Sequence, residues 1–82
     1  MHLKMDEHIL IDKHRDPQGN FVVLTTLNAW KILEPKLNVE DLEDIKVNFS
    51  GEKVFLKCRS RAKLKVIIDK AKMLGISVSG SL

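Results

Sequence analysis

The sequence predicts an α+β fold: a mainly antiparallel sheet built from two hairpin–helix units, in the order ββα-ββα-β, with the helices packed on one face. Three observations predict it. Short apolar and β-branched runs flank two glycine-containing turns, Asp16-Pro17-Gln18-Gly19-Asn20 and Ser50-Gly51-Glu52, and that is how hairpins read. Residues 61–74 repeat their apolar positions at the helical period instead of the strand period. The first half also matches the second at an offset of 32 positions.

The elements follow in order. Residues 7–12 read as a strand, and the Asp16–Asn20 turn returns the chain into a second strand, 21–26, rich in β-branched residues. Asn28 is the expected cap of a short helix that Pro35 stops at Glu34. Asn38 caps another short turn, with Glu40 and Asp41 where the helix dipole favours acids. Residues 45–49 and 53–58 make the second hairpin. Ser60 caps the longest helix, 61–74, Gly75 closes it, and 76–79 form a last strand.

The offset places Gly19, Val22, Leu24 and Lys31 on Gly51, Val54, Leu56 and Lys63. An internal ββα duplication, about 7–36 and 45–79, is therefore expected within one small domain spanning residues 1–82, a length with no room for a second. In element order alone, residues 45–79 are similar to the double-wing DNA-binding module of some phage transcription factors.

The 44% hydrophobic content argues against disorder. One cysteine, Cys58, excludes an internal disulfide and fits a reducing compartment. No signal-peptide core and no membrane-length apolar run is present, so cytoplasmic location is expected by elimination, with no membrane partner.

Charge is unevenly placed. Residues 1–41 carry five Lys/Arg against seven Asp/Glu; residues 42–82 carry nine against four. Lys57, Arg59, Arg61, Lys63 and Lys65 stand at every second position where the strand hands over to the long helix. Arg61 and Lys63 fall in its first turn, where the dipole disfavours cations, so the cluster reads as serving an anionic partner and not the fold. Ser60, Arg59, Arg61 and the free amides of the helix start make a candidate phosphate or carboxylate site.

Strand alternation puts Ile45, Val47, Phe49, Val54, Leu56 and Cys58 on the core side of the second hairpin, and Lys46, Asn48, Phe55, Lys57 and Arg59 on the other. An aromatic ring among cations on a sheet face is a stacking platform for nucleic-acid bases. Phe21 and Val23 are expected on the face of Phe55. On the helix, Leu64, Ile67, Ile68, Ala71 and Leu74 form the core stripe. Arg61, Lys65 and Lys72 line one flank, Lys63 and Lys70 the other, with Ala62, Val66 and Met73 facing outward.

The expected function is non-enzymatic nucleic-acid binding by a small regulatory or accessory protein. Lys57, Arg59, Ser60, Arg61, Lys63, Lys65 and Lys72 would contact phosphates, and Phe55 would stack. The alternative is a protein–protein interaction module, an inhibitor, adaptor or homodimerising subunit. It would meet an acidic protein surface through Phe21, Val23, Trp30, Val66 and Met73. No catalytic residue, metal or cofactor is expected. His2, His8 and His14 lack metal-ligand spacing, and Cys58 reads as a buried small side chain.

Overall fold

The computed structural model describes residues 7–12 and 14–82; His2 lies outside them. Among the described residues the fold is α+β, with a mixed five-stranded sheet and three α-helices. The chain runs β1 (His8–Ile11), β2 (Phe21–Thr26), α1 (Leu27–Leu33), α2 (Val39–Leu42), β3 (Lys46–Ser50), β4 (Lys53–Cys58), α3 (Arg61–Met73) and β5 (Ser77–Ser79). A 3-10 turn at Glu34–Lys36 separates the first two helices. Across the sheet the order is β3-β4-β2-β1-β5; β1 and β5 pair in parallel and the other three neighbouring pairs are antiparallel. The matched strands β2 and β4 begin at Phe21 and Lys53 and lie side by side in the centre.

Local chemistry explains the boundaries. In the first turn the Asp16 carboxylate accepts from the Asn20 backbone N–H (2.8 Å), the Asn20 side-chain amide (3.0 Å) and the Gln18 N–H (3.0 Å). Gly19 follows with φ +84°, a conformation glycine adopts freely. The cap of α1 is Thr26, two residues before the expected Asn28. Thr26 ends β2 in an extended conformation and its hydroxyl accepts from the Ala29 N–H at 3.2 Å. A good capping residue stands where the ladder stops, so the helix starts there.

Asn38 does precede α2, and its N–H donates to Asp41 Oδ2 at 2.9 Å. Ser60 caps α3 by accepting from the Lys63 N–H. The helix ends in a Schellman arrangement: Gly75 (φ +83°) donates to the Lys72 carbonyl and Ile76 to that of Ala71.

One side of the sheet supplies Ile9, Ile11, Val23, Val54, Leu56 and Cys58 to the core. They share it with Ala29, Trp30 and Leu33 of α1 and Leu64, Ile67, Ile68 and Ala71 of α3. Thr25 is buried on the same side, its hydroxyl donating to the His8 carbonyl at 2.8 Å. Phe49 has core-side parity but is 60% exposed, because β3 is an edge strand.

Asp16 and Asp41 give the fold an acid sensitivity. Asp16 is held below the ordinary 3.8 mainly by its hydrogen bonds from Asn20, and Asp41 by those from Lys70 and Asn38. The folded chain therefore binds fewer protons at these sites than the unfolded chain. Their contribution is complete above about 3.8 and is lost as pH falls through the lowered values. Thermal melts are expected to hold a steady midpoint from neutral pH down to the low fours and to drop below it. An Asp16→Asn/Asp41→Asn variant should melt lower at neutral pH and change less across that acid window. Equal acid slopes for variant and wild type would remove both carboxylates from this role.

Candidate nucleic-acid interface

The alternating cations do not form one patch. A spacing of two keeps side chains on one face of a strand but turns them about 200° around a helix. Lys57 lies on the face of the sheet away from the core, and Arg59 lies just past the end of β4. Arg61 and Lys65, with Lys72, line a hollow of about 190 Å³ between α3 and residues 80–82.

Lys63 turns to the opposite flank. It donates to the Glu43 carbonyl at 3.1 Å and pairs with Asp44 at 3.6 Å and Glu43 at 3.9 Å. This corrects the premise that folding does not use the cluster: Lys63 ties the start of α3 to the segment between α2 and β3. Lys70 reinforces the same seam through a 2.6 Å contact with Asp41. Lys65 pairs with Asp69 one helical turn on, at 3.5 Å. Ser60 is likewise engaged within the fold, its hydroxyl capping α3 and its N–H donating to Cys58 Sγ at 3.3 Å.

The sheet face away from the core carries a different grouping. Strand pairing sets three cross-strand rows on it. The central row is Leu10, Leu24, Phe55 and Asn48; one flanking row is Val22, Lys57 and Lys46; the other is Thr26, Lys53 and Ser50. Leu10, Val22, Leu24 and Phe55 lie outside the core cluster. With His14 they line a shallow hollow of about 360 Å³.

Lys46 and Lys57 are directly opposite one another. Like charges in that relation destabilise a sheet. Among the described residues neither Lys46, Lys53, Lys57 nor Arg59 forms an ion pair. Lys57 does act weakly on the nearby Asp16 carboxylate, as the smallest of the causes that lower it. Arg59 shares a second hollow with Lys46, lined also by Asn20, Asp44 and Ile45.

Several expected positions change. Val22 and Leu24, and not Phe21 and Val23, share the face of Phe55, because Phe55 pairs with Leu24. Val23 and Trp30, expected at a protein interface, are 1% and 7% exposed and sit in the core. Phe21 packs at the core margin with the Arg15 guanidinium 4.2 Å above its ring. Val66 and Met73 do face outward on α3. Cys58 is buried beneath the Ser60 N–H.

Lys46 and Lys53 were missed as site residues, although the signal was present: a two-residue turn at Gly51-Glu52 pairs Lys46 with Lys57. No group of three or more His, Cys, Asp or Glu among the described residues is placed to hold a metal ion. No helix among them is long and apolar enough to cross a membrane. No protein-family model, curated protein or solved structure gives a significant match to the chain.

Proposed function

We propose that this chain is a non-enzymatic module that binds single-stranded nucleic acid on the sheet face opposite the core. In this reading both hairpin–helix units pack their helices on one side and leave the other to the ligand. The observation that carries it is the Lys46–Lys57 pair: two facing cations that form no ion pair among the described residues, one cross-strand row from an aromatic ring. A bound phosphate would turn their mutual repulsion into attraction. Lys46, Lys57 and Arg59 then hold the backbone, Lys53 holds it on the far side of the ring, and Phe55 stacks a base. Leu10 and Leu24 extend the apolar floor. Arg61, Lys65 and Lys72 form a separate strip on α3 that steers the strand without reading it.

Stacking on one ring is worth about 1–3 kcal/mol. Phe55→Ala should therefore weaken binding of a labelled oligonucleotide by roughly 5- to 150-fold in fluorescence anisotropy. Lys36→Gln, in the exposed 3-10 turn after α1, removes the same charge as a platform lysine variant and should leave affinity within about twofold. If wild type fails to bind single-stranded DNA or RNA at low salt, or if Phe55→Ala binds as tightly as wild type, the assignment is wrong.

A further inference from the structure

We infer that the outer edge of β3 pairs with β3 of a second copy of this chain, joining two sheets into one. β3 is the end strand of the sheet. Its hairpin turns on Gly51-Glu52 with Gly51 at φ +60° and closes at the Ser50–Lys53 pair. That turn is closed by a hydrogen-bonded pair, and pairs alternate along an antiparallel ladder. Ser50 and Asn48 therefore spend their backbone groups on β4. Those of Val47 and Phe49 point outward, with no partner among the described residues.

Edges of this kind are ordinarily guarded by charge, proline or a bulge. Here the strand Lys46-Val47-Asn48-Phe49-Ser50 has one charge, at its end, and no proline. Instead it exposes Phe49.

The edge is complementary to itself. An antiparallel two-fold centred on Asn48 is the register that pairs all five residues. It sets Val47 against the partner's Phe49 through the outward backbone groups, so each exposed ring gains a β-branched neighbour. Lys46 faces the partner's Ser50, so no like charges oppose within the five pairs. Asn48 meets the partner's Asn48 as a non-hydrogen-bonded pair.

The consequence for binding rests on the proposed nucleic-acid function: Phe55, Asn48, the partner's Asn48 and the partner's Phe55 fall in one row. The two rings then stand roughly 14 Å apart, three strand spacings, on a single platform.

The register can be trapped. A non-hydrogen-bonded pair brings Cα atoms to about 4.5 Å, within the span a disulfide bridges. Asn48→Cys is expected to give an oxidised dimer on a non-reducing gel, while Ser50→Cys, which faces the partner's Lys46, does not. The native Cys58 is buried and gives no background.

In light scattering over a micromolar-to-millimolar series, wild type should move from monomer to dimer. Phe49→Lys should stay monomeric with an unchanged circular-dichroism spectrum. A wild type that remains monomeric throughout, a dimer that Phe49→Lys does not disturb, or equal cross-linking at positions 48 and 50 would each overturn the inference. None of these readouts involves nucleic acid, so an intact dimer that ignores oligonucleotides would sink the binding proposal alone.

Discussion

Lys46→Glu is expected to make the domain more stable and to abolish most of its nucleic-acid binding. In wild type Lys46 faces Lys57 across the β3–β4 ladder. Exchanging it for Glu converts a repulsive cross-strand pair into an attractive one, a gain of about 0.2–1 kcal/mol. The same change puts an anion where a phosphate is proposed to sit. Losing one cation contact and adding repulsion should cost on the order of 100-fold in affinity at low salt.

The salt dependence makes the test sharper. Each phosphate neutralised on a single strand contributes about 0.7 to the slope of log K against log salt concentration. The slope should therefore fall by about one such increment in the variant. A change confined to stability would show that the pair is only a surface irregularity. Opposite signs in the two measurements are what a binding site set against stability produces, and a simple folding defect lowers both together.

Most of the elements could be read from the chain because local signals agreed. The Asp16–Asn20 turn, Ser60 and Gly75 each act within a few residues, and the structure uses them all. Faces were legible where strand alternation was unambiguous, as in β4, whose Val54, Leu56 and Cys58 are buried. In β2 they were not. Phe21-Val22-Val23-Leu24 is apolar at both parities, and its face is decided by pairing with β1 and β4, which no local pattern states. The same ambiguity hid Leu24 from the site.

The cations failed to assemble for a related reason. Their even spacing implied one face only while the chain stayed extended, and it becomes helical at Arg61. The acidic segment that engages Lys63 and Lys70 comes from the α2 region, with Glu43 and Asp41 lying 20 and 29 positions away in sequence, and only the fold brings it there. What was recoverable, and more telling than the run itself, was the Lys46–Lys57 opposition set by the two-residue turn.

Leu56→Ala is expected to cost more stability than any substitution on the surface of this domain. Leu56 is fully buried in the central strand pair, between Val23 on β2 and Val47 on β3. Truncating a buried leucine costs about 2–5 kcal/mol, the transfer of the lost methyl groups plus the cavity they leave. A chain of this length has about 4–12 kcal/mol in total, at about 0.05–0.15 kcal/mol per residue. The loss is thus a large fraction of the margin, and the melting midpoint should fall by about 10 °C or more.

Met73→Ala is the matched control. It also shortens an apolar side chain, but one that is 85% exposed on α3, and surface changes of that kind stay within about 0.5 kcal/mol. The contrast tests the placement of the core itself. Both variants melting within a degree or two of wild type would mean that Leu56 is not enclosed by the helices, and the opposite face of the sheet would then lose its claim to be the free one.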